Sequence, residues 1–141
     1  MLVSEVMNKN VVIIKKDATV KQASEFMAKA KIGSLVVVEK DKITGIVTST
    51  DIVRAVAQDK QPQNTLIEEV MSKRVFTVDP DTTLQSAVDV MIENKIKELP
   101  VVENKKIKGI LTVTDIAVVE PKLIASIASL LSMQFPAYRG G

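Results

Sequence analysis

The chain repeats itself. Displaced by 64 positions and with no gap, residues 4–52 superimpose on residues 68–116 with 23 identities in 49 pairs. EVMNKNV from Glu5 meets EVMSKRV from Glu69, Asp17 and Thr19 meet Asp81 and Thr83, and Ala23 and Met27 meet Ala87 and Met91. LVVVE from Leu35 then meets LPVVE from Leu99, and KITGIVTSTDI from Lys42 meets KIKGILTVTDI from Lys106. This is a duplication. A copy of about 55 residues is too small to bury a good core alone, so the two copies are expected to pack on one another. The expected organisation is copy one over 3–56, a polar linker over 57–66, copy two over 67–119, and a C-terminal helix and tail over 120–141.

Within a copy, the runs Val11–Ile14, Leu35–Val38 and Ile46–Val47 are short and β-branched, as suits strands buried on both faces. Helical spacing lies between them: Val20, Ala23, Met27 and Ala30 form one stripe, and Leu84, Ala87, Val88 and Met91 another. Thr19 with Gln22 predicts a capping box, Thr83 is the matching cap, and a second helix is expected to begin at Thr50–Asp51 and again at Thr114–Asp115. Each copy therefore reads strand, helix, strand, strand, helix, an α/β pattern.

Composition removes several functions. The chain has 141 residues, 19 basic against 17 acidic side chains, and neither histidine nor cysteine. That excludes a disulfide framework, a Cys/His zinc site, a thiol nucleophile and a Ser/His/Asp triad. It holds no P-loop and no G-x-G-x-x-G, so no enzyme is expected. A net charge of +2 is too small to announce a nucleic-acid or membrane partner, and three phenylalanines with Tyr138 leave little for base stacking. The first twenty residues carry Glu5, Lys9 and Lys15 and only a four-residue apolar run, so no signal peptide is expected and the location expected is the cytoplasm. The weakly polar stretch Leu123–Met133 is far short of the roughly 20 residues that span a bilayer.

Four features agree in order in both copies: the EVM opening followed by a strand, the D-x-T helix start, the LVVV/LPVV strand, and the closing G-[IV]-[VL]-T-x-T-D-I. On these, each copy resembles a CBS motif and the tandem, over residues 3–119, a CBS pair or Bateman module. The resemblance implies two pseudo-symmetric β-α-β-β-α repeats packed sheet to sheet. It also implies a regulatory, non-catalytic, adenosine-nucleotide-binding module for AMP, ADP, ATP or S-adenosylmethionine, commonly dimeric. No cofactor or metal is implied.

A carboxylate in the first turn of a helix can accept two hydrogen bonds from a ribose diol, the role that fits Asp51 and Asp115. A hydroxyl three residues earlier, with the free N–H groups of the helix start, suits a phosphate; Thr48 and Thr112 fit, with Thr50 and Thr114 beside them. Backbone groups can read the base. The resemblance implies two clefts, each joining the T-x-T-D of one copy to the opening strand and L-P-V-V region of the other. One joins Thr48, Thr50 and Asp51 to Lys73, Arg74, Val75 and Phe76 and to Lys97, Glu98, Leu99 and Pro100. The other joins Thr112, Thr114 and Asp115 to Lys9, Asn10, Val11 and Val12 and to Gly33, Ser34, Leu35 and Val36. Arg74, Lys97 and Arg54, one turn after Asp51, would draw phosphate to the first cleft, and Glu98 would oppose it.

Plainer readings stand beside these. Thr and Asp at a helix start are ordinary capping residues, and Lys73, Arg74 and Lys97 could be solvated surface. In the tail, Pro121 is expected to start a helix with Leu123, Ile127, Leu130 and Leu131 on one stripe, ending at Pro136, before a frayed YRGG. Taken together the expectation is a homodimeric nucleotide sensor acting in trans on a regulated protein partner. The alternatives are an assembly protein with empty clefts, an S-adenosylmethionine binder and a nucleic-acid binder.

Overall fold

The computed structural model describes residues 1–123, 125–128 and 130. They form a mixed α/β fold in two compact units, Val11–Val75 and the combination of residues 1–10 with the chain from Phe76 onward.

The first unit holds strand β1 (Ile13–Lys15), helix α1 (Val20–Ala30), strands β2 (Ser34–Glu39) and β3 (Lys42–Thr48), and helix α2 (Ser49–Ala57). Thr19 caps α1 with Gln22 as the capping box requires. Lys40 and Asp41, both at positive φ, make the two-residue turn that joins β2 to β3 antiparallel. β1 pairs parallel with β2 on the other side, giving the order β1-β2-β3. Val20, Ala23 and Met27 meet Ile14, Leu35, Val37, Val47 and Ile67 in a buried cluster, while Ala30, at the end of the expected stripe, is exposed.

The second unit repeats this with α3 (Leu84–Asn94), β4 (Glu98–Glu103), β5 (Lys106–Thr112) and α4 (Val113–Val119). Asn104 and Lys105 make the same turn. Its expected opening strand is reduced to one parallel bridge, Val78 to Val101, beside the two-stranded β4–β5 sheet. The causes are Pro100 and Pro80, the latter standing where Lys16 follows β1 and offering no N–H to the Val102 carbonyl. In the first unit Val36 donates its N–H to the Val12 carbonyl at 3.3 Å. Proline stands at the matching place and has no N–H, so that rung cannot form. The rungs on either side of Val78, from Val78 to Pro100 at 3.1 Å and from Val102 to Val78 at 2.9 Å, survive.

The EVM segments are exchanged. The first, whose turn spans Val3–Glu5, lies in the unit of the second copy: Val3 donates to Thr82 at 2.8 Å, and Asn8 and Ile110 exchange bonds of 2.8 and 2.9 Å. The second, turning over Ile67–Glu69, lies in the unit of the first copy: Ile67 donates to Ala18 at 2.8 Å, and Ser72 and Ile46 exchange bonds of 2.9 and 3.0 Å. The glycine of the closing motif makes room for this. A Cβ on Gly45 would lie 2.8 Å from the Ser72 carbonyl oxygen, and one on Gly109 would lie 2.9 Å from that of Asn8. Only a residue without a side chain lets the crossing strand approach so closely.

The linker is not featureless: Pro62–Asn64 form a 3₁₀ turn, and the Thr65 hydroxyl is buried, donating to the Gln61 carbonyl at 2.8 Å. Pro121 starts a 3₁₀ turn through Leu123 rather than an α-helix, and residues 125–128 and 130 are helical. Ile127 and Leu130 are buried in the second unit's core with Leu99, Leu111 and Ile116. The expected contributions of Leu131, the stop at Pro136, Tyr138 and the terminal YRGG lie outside the described residues. Among the described residues no helix is long and apolar enough to cross a membrane.

Candidate functional site

The T-x-T-D residues are built one position earlier than expected. α2 starts at Ser49 and α4 at Val113, so Thr48 and Thr112 are the N-caps and the aspartates stand at the third helical position. The threonine side chain faces the Asp N–H while the Asp side chain turns back to the threonine, a capping box in which Asp replaces the usual Glu or Gln. One carboxylate oxygen, Oδ2 of Asp51, accepts from the Thr48 N–H at 2.9 Å and from its hydroxyl at 3.1 Å. The hydroxyl in turn accepts from the Asp51 N–H at 3.3 Å. Around Asp115 the corresponding distances are 3.2, 2.9 and 3.2 Å. Each threonine hydroxyl has thus committed its proton to the aspartate.

This narrows what the helix starts offer. Ser49 gives its N–H to the Gly33 carbonyl at 2.9 Å and Val113 gives its own to Lys97 at 3.0 Å. The third N–H goes to the capping hydroxyl. Of the three leading N–H groups, only that of Thr50 in one copy and Thr114 in the other is left without a partner among the described residues. The expectation that a threonine hydroxyl and several free N–H groups form an anion pocket is therefore corrected to one free N–H per turn.

What remains open is the second carboxylate oxygen, and here the copies part. Oδ1 of Asp51 holds Arg54 at 3.2 Å, the aspartate side chain 14% exposed and the arginine 59%. The residue matching Arg54 is Val118, 75% exposed, and among the described residues Oδ1 of Asp115 has no partner.

The hairpins fix the neighbours of each turn. Pairing of Ser34 with Thr48 and Leu35 with Val47 sets Gly33, Ser34 and Leu35 beside Thr48–Asp51. Val12, bonded to Val36, and Val11 before it run along the same sheet. Likewise Glu98 pairs with Thr112 and Leu99 with Leu111, so the hairpin puts Lys97, Glu98, Leu99 and Pro100 beside Thr112–Asp115 of their own copy, where the expectation joined them to Thr48–Asp51 and Gly33–Val36 to Thr112–Asp115. The exchanged segments add Lys73, Arg74 and Val75 to the unit that holds Asp51, and Lys9 and Asn10 to the unit that holds Asp115. Phe76 opens the second unit and packs against its core.

Beyond the Ser72–Ile46 bridge the segment runs toward the start of β3, and Lys73 lines a groove of about 420 Å³ with Thr44, Lys16, Glu39, Glu68 and Glu69. There the Lys16 ammonium lies 2.8 Å from the Glu39 carboxylate. That hydrogen bond and the attraction between the charges raise the lysine pKa above its ordinary value. Among the described residues no group of three acidic side chains is placed to hold a metal ion.

The CBS domain family model matches residues 3–58 and again residues 67–121. The chain belongs to the CBS domain family, as a pair. It is 38% identical over 128 residues to the uncharacterized protein MK0525 of Methanopyrus kandleri, a match that takes in 89% of this chain and 65% of that protein. It is 31% identical to the CBS domain-containing protein YhcV of Bacillus subtilis, over 82% of this chain and 83% of that one. Among solved structures, the CBS domain pair of protein MJ0100 in complex with 5′-methylthioadenosine and S-adenosyl-L-methionine superimposes with a TM-score of 0.80 at 29% identity, covering 86% of this chain and 97% of that one. CBS pairs are typically regulatory modules without catalysis of their own.

Proposed function

We propose that this pair is a non-catalytic sensor of adenosine nucleotides of the AMP, ADP or ATP type, acting in trans as a homodimer on a protein partner in the cytoplasm. The observation that carries the reading is the repeated Thr–Asp box. In each copy it pins one oxygen of a half-buried carboxylate and turns the other outward, where a ribose diol can donate to it. Asp51 and Asp115 are the ribose acceptors, with the N–H groups of Thr50 and Thr114 and the cations Arg54, Arg74 and Lys97 as candidate phosphate partners. The adenosine compounds in the MJ0100 complex support the ligand class, and keep S-adenosylmethionine beside the nucleotides as a second reading. The homodimer is supported by Phe26, Val53, Val56, Val118 and Val119, apolar residues exposed on α1, α2 and α4.

Thermal-shift titration with AMP, ADP, ATP, S-adenosylmethionine and methylthioadenosine tests this. A ligand that binds only the folded state adds about 2.7 kcal/mol at a hundredfold excess over its Kd, a rise in Tm on the order of 5–15 °C. Asp51→Ala and Asp115→Ala should each remove one site. No shift with any ligand overturns the sensor and leaves an assembly protein with empty clefts; unchanged stoichiometry in both variants reduces the aspartates to caps.

A further inference from the structure

Arg54 occupies the one oxygen of Asp51 that a ligand could use, and this occupancy has a chemical consequence. A ribose diol that donates to Oδ1 must share or displace the guanidinium held there at 3.2 Å. An uncharged nucleoside gives Arg54 nothing in return. A ligand with an anionic group on its 5′ side gives the guanidinium a new partner, one that its planar fork matches with two parallel bonds.

The helix start cannot supply that recognition alone. Ser49 has spent its N–H on Gly33, and Thr48 and Asp51 have satisfied each other, which among the described residues leaves only the Thr50 N–H of this helix start for an anion. A single neutral donor is weak against water, whereas a guanidinium one turn along the same helix face is a full charge. Arg54 is free to move: its side chain is 59% exposed, and an ion pair this open is held loosely.

Resting on the ribose role proposed for Asp51, we propose that Arg54 is the specificity-determining residue of this turn, exchanging Asp51 for the 5′ phosphate of the ligand and so selecting phosphorylated over unphosphorylated adenosine. The matching Val118 offers no such exchange in the other copy.

The test is calorimetric titration of the full chain with AMP and with adenosine, taking as the signal the component of binding that Asp51→Ala removes. In the unaltered protein AMP should bind in that component about tenfold or more tightly than adenosine, the scale of one charge-assisted contact. Arg54→Val, which installs the residue of the other copy at an exposed position, should bring the two ligands within about threefold, by weakening AMP while leaving adenosine unchanged or tighter. Arg54→Lys, which keeps the charge without the fork, should fall between. An unchanged AMP preference in Arg54→Val, with the Asp51-dependent component intact, overturns the role of Arg54 and leaves the ribose role standing. If no Asp51-dependent component exists for either ligand, the ribose role fails and the selection falls with it.

Discussion

The turn at Thr48–Asp51 and the turn at Thr112–Asp115 are one backbone device built twice, and they differ in what touches the outward carboxylate oxygen. Both aspartates are fixed by their threonine to within a few tenths of an ångström of the same geometry. In the first an arginine lies across the open oxygen; in the second a valine stands at that place and the oxygen has no partner among the described residues. Duplication has preserved the scaffold that aims the carboxylate while the next turn of helix has drifted. A scaffold feature should therefore respond equally to mutation in both copies, and a recognition feature should not.

The largest test of that equality is the crossing of the exchanged segments. Gly45→Ala and Gly109→Ala each force a Cβ to within 2.8–2.9 Å of a backbone oxygen, which must move. Each should cost about 1–3 kcal/mol in chemical denaturation. Equal losses support a common scaffold; a loss confined to one copy would show that one of the two crossings is dispensable. The caps come next. Thr48→Ala and Thr112→Ala remove the hydroxyl half of each capping box, leaving the backbone N–H to the aspartate in place, and should each cost about 1 kcal/mol, read as a shift in the urea midpoint at constant m-value.

The smallest effect marks a place where the copies differ by construction. Lys16, just past β1, pairs with Glu39 at the end of β2, whereas the matching residues are Pro80 and Glu103, which cannot. Because the folded state raises the Lys16 pKa, the pair stabilises at neutral pH and its contribution fades as alkali strips the lysine of its proton. Lys16→Met should be slightly less stable than the unaltered chain at pH 7 and indistinguishable from it well above the lysine range. A deficit that persists there would trace to lost packing of the lysine stem instead.

Much of the site was legible in the sequence because its signals are local. A capping box needs only residues three apart, so Thr48 with Asp51 and Thr112 with Asp115 declare the helix starts, which fall one residue before the expected Thr50 and Thr114. Lys73 was harder. Its charge is visible in the sequence, but its place depends on a strand pairing far from it along the chain, and the structure sets it on a groove that Glu39, Glu68 and Glu69 also line. The exchange of EVM segments left one trace in the sequence, a glycine inside a strand. Such a glycine signals close backbone approach without saying which backbone approaches.

The sequence by itself determined the duplication, the α/β alternation, the helix caps and the apolar stripes, because each rests on spacing within about a turn or a strand. Tertiary structure alone decided which copy each opening segment completes, that Pro80 and Pro100 would cost the second sheet its first strand, and that Ile127 and Leu130 would deepen one core and not the other. It also decided that Arg54 would lie on the free oxygen of Asp51. Those outcomes turn on which hydrogen bonds and buried faces remain unsatisfied once the local elements exist, and that is settled only when distant segments compete to satisfy them.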